Sequence, residues 1–307
     1  MSTPEVLKVS DTNHSTVRFR LFSPEVPYST EVASYLGINI SQVLADPKQL
    51  AMTTVMGPFM ESRYRSSEML IEKYLTEYSS KMPLLQPTVV EFAVGYNLHS
   101  HTIAKKFPYV QYIATDEHTE SLAKRAALEE KLKLRLPNVS TLRLDAVNGD
   151  GYKDVIAQVR PGARGVLFVE GLWRYINFEQ KRKHLAIASD LLRHMGESVY
   201  ITPDAITIAE YRESVGLQNA AREGNAAYSK NLGIKFEDNM FSDEKHRESF
   251  LAECGLALRE IRLQGDIVPT LSCYDELSQL VQRTPEQWAE IKSMIAKRQL
   301  FVLELAK

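Results

Sequence analysis

The spacing of hydrophobic positions changes near residue 86 and divides the chain into two parts. Before that point, residues 60–78 repeat their apolar positions at the period of a helix. The apolar face carries Met69, Leu70, Tyr74 and Leu75, whereas Arg63, Arg65, Glu68 and Lys73 are expected to point more outward. We therefore expect residues 1–85 to form an N-terminal helical cap, which ends at a break between two prolines.

After residue 86, short apolar runs alternate with amphipathic stretches. Strands are predicted at 88–94, 109–115, 140–144, 165–169 and 198–202, and helices at 98–107, 117–134, 151–159 and 178–195. This alternation is typical of a parallel sheet that is covered on both faces.

The end of the chain has a different pattern. Residues 255–263 and 299–305 are both strand-like, and a final strand inserted antiparallel beside its predecessor fits this order. Helical insertions are predicted near 206–240 and 267–298. The fold class is therefore α/β, with a doubly wound, mostly parallel, seven-stranded sheet whose last strand is antiparallel, over a domain of residues 86–307.

Composition excludes several classes of function. The chain has 307 residues, 44% of them hydrophobic, a formal net charge of -2 and no basic block with interleaved aromatics, so neither nucleic acid nor an anionic membrane is an expected partner. No apolar run approaches the length of a membrane span. Two cysteines without a CxxC pair, and no export signal, predict a cytoplasmic protein without a metal site. The sequence carries no signal for an oligomeric state.

Acidic residues recur at the carboxyl ends of the predicted strands. Glu91 lies in the first strand, and Asp116, Asp145 and Glu170 end the next three. Any single strand can end in an acid, but four acids at nearly equal spacing indicate a shared ligand. In open parallel sheets the ligand lies at that edge, near the point where the strand order reverses.

The loop after the first strand, residues 91–97, has the sequence Glu-Phe-Ala-Val-Gly-Tyr-Asn. A tight turn there needs small residues, and Gly95 meets that need while Ala93 nearly does. The loop lacks the GxGxxG fingerprint of dinucleotide sites, which favours a ligand without phosphates.

Asp116 lies where an α/β nucleotide site places its ribose-binding carboxylate, which accepts hydrogen bonds from both hydroxyls. The alternative is an exposed acid that the dipole of the following helix favours. Asp145, followed by Ala146, is a candidate acceptor for the exocyclic amine of an adenine. Glu117 belongs to the same predicted site.

The order of these motifs along the chain, from the Glu91 loop through Asp116 and Asp145 to Glu170, resembles that of class I S-adenosylmethionine-dependent methyltransferases. Residues 169–175, Val-Glu-Gly-Leu-Trp-Arg-Tyr, are most similar to the "EGLLMYL" segment of the leucine carboxyl methyltransferase-like family, which includes polyketide O-methyltransferases. Residues 62–68 are similar to the "ARTRxxD" helix of that family. The resemblance covers roughly residues 60–204 and the terminal strand pair. The corresponding loop of that family usually has more glycine. In this chain, Ala93 and Asn97 stand in place of two of those glycines.

The resemblance implies S-adenosylmethionine as the cofactor and a small molecule as the methyl acceptor. It implies that Arg63 or Arg65 pairs with the carboxylate of the methionine moiety. Glu91 and Gly95 would lie against its ammonium group and backbone, and Glu170 would close the site. O-methylation of a carboxylate or a hydroxyl is the activity that this family suggests.

Candidates on the acceptor side follow the first and fourth strands. His99 and His101 begin a helix, where an imidazole can deprotonate a hydroxyl at neutral pH, but both can equally be structural. Tyr175 is a candidate wall of an acceptor pocket or a core residue. Two tyrosines of the first insertion are further candidates: Tyr211 and Tyr228.

Two other functions remain open. A protein of this fold can bind the donor without transferring its methyl group, and the glycine-poor loop motivates that alternative. A nicotinamide-dependent oxidoreductase is the other, although the missing GxGxxG fingerprint argues against it.

Overall fold

A computed structural model describes residues 12–81, 86–215 and 233–307 of the chain. Its centre is a seven-stranded sheet with the order β3-β2-β1-β4-β5-β7-β6. The strands are β1 (Thr88–Phe92), β2 (Gln111–Asp116), β3 (Val139–Arg143), β4 (Gly165–Val169), β5 (Val199–Thr202), β6 (Leu256–Leu263) and β7 (Gln299–Leu305). The first five pair in parallel, whereas β7 is antiparallel to both β5 and β6. The predicted fold class, a mostly parallel seven-stranded sheet whose last strand is antiparallel, is confirmed.

Helices cover the sheet and extend beyond it. They are α1 (Thr12–Phe19), α2 (Ser29–Tyr35), α3 (Ile40–Ala45), α4 (Pro47–Lys81), α5 (His99–Lys106), α6 (Thr119–Lys131), α7 (Tyr152–Gln158), α8 (Phe178–Met195), α9 (Ile208–Val215), α10 (Glu244–Glu253), α11 (Gln264–Ile267), α12 (Cys273–Leu280) and α13 (Pro285–Ala296). None of the helices in the described ranges combines the length and the apolar character needed to cross a membrane.

The central strands β1, β4 and β5 are buried on both faces: their alternate residues point to opposite sides of the sheet, and all of these residues are buried. Val89 and Val166 pack with the second half of α4 and with α5. Val90 and Leu167 pack on the other face with α8 and α10. The near-continuous apolar runs of the central strands follow from this double burial.

Helix α4 differs from its prediction. Leu70 is buried as expected, but Met69 is 46% exposed, and Arg63 and Glu68 are buried. The expected outward direction of these two charged side chains was therefore wrong. The helical period assumes one buried face, whereas α4 also contacts α1, α3, α11 and β4. The face of α4 that the helical spacing predicted to be exposed is covered by these other elements.

The cap and the second insertion share one apolar cluster. Phe22 and Val43 of the cap pack with Leu277 of α12 and Ile291 of α13. The first insertion contributes α9 and a short 3-10 turn, Phe236–Asn239, to the described structure. The domain boundary at residue 85 stays a prediction.

Candidate functional site

A cavity of about 640 Å³ lies at the carboxyl edge of strands β1 to β4. Its wall comes from the loops that follow these four strands and from the N-terminal cap. Eight of the residues predicted from the sequence line it: Arg63, Ala93, Asp116, Glu117, Asp145, Ala146, Glu170 and Tyr175. A cavity of this volume suits a small-molecule ligand.

The side of the cavity beyond β2 and β3 is acidic, and we call Asp116, Glu117 and Asp145 the acidic half. Asp116 is 5% exposed. Its Oδ2 accepts a hydrogen bond of 2.9 Å from the Gly95 N–H, and its Oδ1 accepts one of 3.0 Å from the His118 N–H. Because a carboxylate has about four lone-pair positions, two remain for a ligand. Asp116 thus shapes the first loop and can still bind hydroxyl groups.

Asp145 organises the turn after β3. Its Oδ1 accepts hydrogen bonds from the N–H groups of Val147 at 2.8 Å and of Asn148 at 2.9 Å. Its Oδ2 accepts a third, of 2.8 Å, from the Asn148 side chain. Burial raises the pKa of this carboxyl, but the hydrogen bonds outweigh it and lower the pKa below the usual value. Asp145 is therefore an anion at neutral pH.

The loop after β1 turns through two left-handed residues. Ala93 has φ 53° and Gly95 has φ 50°. Glycine adopts this conformation freely, whereas a residue with a Cβ pays about 1–2 kcal/mol for it. Ala93, which lines the cavity, therefore has a strained backbone conformation.

The opposite side of the cavity, beyond β4, carries arginines, and we call Arg20, Arg63 and Arg174 with Glu170 the arginine half. Glu170 Oε1 accepts hydrogen bonds of 2.8 Å from both Nε and Nη2 of Arg63. Strands β2 and β4 lie on either side of β1. The two halves are therefore about two strand spacings, roughly 10 Å, apart.

His99 extends this ion pair into the protein interior. Its Nε2 lies 3.4 Å from Glu170 Oε2, its Nδ1 lies 3.2 Å from Glu68 Oε1, and its ring stacks on Tyr64 at 3.7 Å. Burial lowers the pKa of His99, but Glu170 and Glu68 outweigh it and raise the pKa to about 9. His99 is therefore a cation at neutral pH.

The same contacts act on Glu170 in the opposite direction. Burial raises its pKa, but the charge of Arg63 and the contact with His99 lower it to about 2. Glu170 is thus an anion between two buried cations, and its two oxygens are committed to them.

Several predicted residues do not line the cavity. Glu91 is buried beneath it, where its Oε2 accepts a hydrogen bond of 2.7 Å from the Tyr112 hydroxyl. Gly95 does not line it either, and its N–H donates a hydrogen bond to the Asp116 carboxylate. Arg65 pairs with Glu61 at 3.0 Å and donates to the Thr270 carbonyl at 2.9 Å, which ties the cap to the second insertion. Their donor-binding roles stay predictions.

The predicted acceptor-side residues are placed differently from one another. Tyr175 lines the cavity, and its ring packs on Phe236 at 5.7 Å. His101 lies away from it beside Ser100, and burial followed by the charge of Arg125 lowers its pKa to about 4. Tyr211 belongs to an apolar cluster outside the cavity wall, and Tyr228 lies outside the described residues.

Sequence reasoning missed three arginines, Arg20, Arg125 and Arg174, and the role of Asn97. Arg20, from the short turn after α1, donates a hydrogen bond of 2.6 Å to Asn97 Oδ1 and lies over the Tyr64 ring. Arg125 of α6 donates to the Asn97 carbonyl. The sequence did carry a signal for Arg174, because this charged residue stands where the "EGLLMYL" segment has methionine. No period or motif indicated Arg20.

Within residues 12–81, 86–215 and 233–307, no cluster of His, Cys, Asp or Glu has the arrangement of a metal site.

Comparisons with known proteins give structural similarity only. No protein-family model and no curated protein matches the chain. The structure of LepI in complex with SAM is similar at 15% identity with a TM-score of 0.44, over 76% of this chain and 46% of that one. A geranyl diphosphate methyltransferase in complex with SAM is similar at 12% identity with a TM-score of 0.45, over 86% and 93%.

PKMT2 from Rickettsia typhi, in complex with AdoHcy, is a third similar structure, at 11% identity with a TM-score of 0.44, over 72% of this chain and 50% of that one. The chain thus spans about half the length of the LepI and PKMT2 chains.

Proposed function

We propose that this chain is an S-adenosylmethionine-dependent methyltransferase that O-methylates a small molecule, with a carboxylate as the favoured acceptor. One observation carries the proposal: a single cavity joins an acidic half to an arginine half at the carboxyl edge of this sheet. Bound in it, S-adenosylmethionine would supply an electrophilic methyl group. The chain's own residues bind and orient the two partners.

The acidic half fits the adenosine moiety of the donor. Asp116 keeps free lone pairs for the two ribose hydroxyls, and its position is fixed by two backbone N–H groups. Asp145 is fixed in the same manner and is available to the adenine amine. Arg63 is the candidate partner for the methionine carboxylate, although in the free protein it is paired with Glu170.

The protonation states of the histidines favour an acceptor that needs no base. His99 is already protonated at neutral pH and is excluded from the cavity wall, and His101 lies elsewhere. His118 lines the cavity, but it follows β2 on the acidic half. A carboxylate is ionised at pH 7 and attacks without losing a proton, whereas an alcohol requires a proton acceptor.

Methyl transfer can be tested with a donor that carries a labelled methyl group. We expect label to enter a metabolite extract as a methyl ester, from which mild base releases labelled methanol. Label that stays in a base-stable product, such as a methyl ether or a methylamine, would contradict the carboxylate acceptor. Calorimetry with S-adenosylmethionine and with NADH tests the class, because binding of NADH alone would contradict a methyltransferase.

Donor binding without transfer is a second candidate. Ala93 and Asn97 stand where the resembling family usually has glycines, and the strained Ala93 lies in the cavity wall. For this function, calorimetry would show saturation by S-adenosylmethionine while no fraction of the extract acquired label.

A further inference from the structure

Among the described residues, Arg174 differs from the other two arginines of the cavity because its guanidinium has no hydrogen-bond or ion-pair partner. Arg63 is paired with Glu170, and Arg20 donates to Asn97. The Arg174 guanidinium stacks on the Phe236 ring at 4.8 Å and makes no hydrogen bond or ion pair with the rest of the described chain. Its N–H groups therefore lack a protein acceptor there.

The surroundings of Arg174 hold it in place. The Asn239 side chain donates a hydrogen bond of 3.0 Å to the Arg174 carbonyl, and Tyr175 packs on the same Phe236 ring. A guanidinium that stacks on an aromatic ring has its plane fixed while its edge stays open to a ligand. That edge has the fork geometry that binds a carboxylate or a phosphate through two parallel hydrogen bonds.

A fourth arginine, Arg298, lies close enough to Arg63 and Arg174 to be repelled by them. The Arg298 guanidinium lies 3.5 Å from the centre of the Phe59 ring, and its buried Nε has no hydrogen-bond partner in the described structure. Burial, followed by repulsion from Arg63 and Arg174, lowers the pKa of Arg298 well below its usual value. The arginine half itself brings three arginines to the cavity wall, Arg20, Arg63 and Arg174, beside the one carboxylate Glu170.

We propose that Arg174 binds an oxyanion of the methyl acceptor, a carboxylate or a phosphate, and thereby selects acidic acceptors. This inference rests on the proposed function, because it assigns the acidic half to the donor. Met60, Leu172 and Ile176 also line the cavity, so the body of such an acceptor is apolar. Arg174 is a specificity residue and takes no part in bond making.

Three ligands with the same phenyl body test the inference: benzoate, phenyl phosphate and benzyl alcohol. Saturation-transfer NMR on the ring protons measures the binding of each to the protein, with and without S-adenosylhomocysteine. We expect at least one anion to bind more tightly than the alcohol. Removing a charge-assisted, two-point contact should weaken that anion roughly tenfold to a hundredfold in Arg174→Met. The stronger of the two anions identifies the carboxylate or the phosphate.

Arg135→Met is the matched control. Arg135 is exposed, pairs with Glu130 and precedes β3, at the opposite edge of the sheet. This variant should bind all three ligands as the wild type does. If Arg174→Met does not fold, Arg174→Gln replaces it, since glutamine keeps a planar end group for the Phe236 ring.

The inference is overturned if the wild type binds neither anion more tightly than benzyl alcohol, or if the Arg174 variant keeps the anion preference. A failure of the proposed function is separate, because it appears as absent binding of S-adenosylhomocysteine in calorimetry. The measurement without that ligand still reports on Arg174.

Discussion

The two halves of the cavity are built by different means. In the acidic half, Asp116 and Asp145 are held by backbone N–H groups, most of them two or three residues away in the chain. In the arginine half, Glu170 is held by side chains 107 and 71 residues away. The first half is thus a property of local chain geometry, whereas the second exists only after the cap packs on the sheet.

Because of this difference, the contribution of the cavity to ligand binding and its contribution to the stability of the fold are expected to come from different residues. The acids of the acidic half keep free lone pairs, so their removal should mainly affect a ligand. Glu170 compensates two buried cations, so its removal should mainly affect the fold. Substitutions in the two halves should therefore give effects of different kinds.

The largest effect is expected at Glu170. Glu170→Gln leaves Arg63 and His99 as buried cations without their shared anion, which should cost about 3–5 kcal/mol of unfolding free energy. Urea unfolding measures this loss. Glu179→Gln is the control, because Glu179 is 79% exposed and its pair with Lys183 contributes less than about 1 kcal/mol. A loss at Glu170 as small as that of the control would show that the arginine half does not depend on this carboxylate.

The pH dependence of stability tests the same half. The pKa of His99 rises from 6.5 to about 9 on folding, so its contribution is complete below pH 6.5 and is lost as the pH rises to 9. We expect the wild type to lose on the order of 1–3 kcal/mol over this window relative to His99→Gln. Taking the difference between the two proteins cancels other titrating groups, among them Lys181, whose pKa burial lowers to about 7. Equal pH dependence in both proteins would show that His99 is neutral when folded.

Glu170 should act at the other end of the pH scale. Its pKa falls from 4.5 to about 2 on folding, so its contribution is present above pH 4.5 and disappears as the pH falls toward 2.

In the acidic half, Asp116→Ala should weaken the binding of S-adenosylmethionine by about 1–3 kcal/mol, because charge-assisted hydrogen bonds to the ribose are lost. Calorimetry measures this change. Glu120→Ala removes an acid that is 81% exposed, four residues farther along, and should bind as the wild type does. Unchanged affinity in a folded Asp116 variant would contradict the ribose role.

The smallest effect concerns the loop between the halves. Ala93→Gly removes a strained left-handed residue and should stabilise the protein by up to about 1 kcal/mol, after the entropic cost of glycine. Ala126→Gly in α6, an exposed helical position, should instead destabilise it by about 1 kcal/mol. Thermal unfolding of both variants distinguishes these signs, and destabilisation by Ala93→Gly would contradict the strain.

The acidic half could be predicted because its signal is local. Alternating strand and helix patterns indicated the sheet, and acids at consecutive strand ends indicated Asp116 and Asp145 as neighbours in space. The antiparallel last strand followed from the order of the elements. Each of these inferences used only residues close together in the chain and the general geometry of parallel sheets.

The arginine half could not be predicted in the same manner. Helical period assigned Arg63 and Glu68 to solvent, since it carries no information about the elements that cover α4. His99 appeared as a candidate base because an isolated imidazole has a pKa near 6.5. Its two carboxylate neighbours come from α4 and from the end of β4, and only the folded chain brings them together.

The most direct test of the central claim is a crystal structure with S-adenosylhomocysteine. We predict both ribose hydroxyls within hydrogen-bond distance of the Asp116 carboxylate, the adenine beside Asp145 and the vacant methyl position facing the arginine half. A ligand bound elsewhere, or an adenosine moiety in the arginine half, would contradict the account.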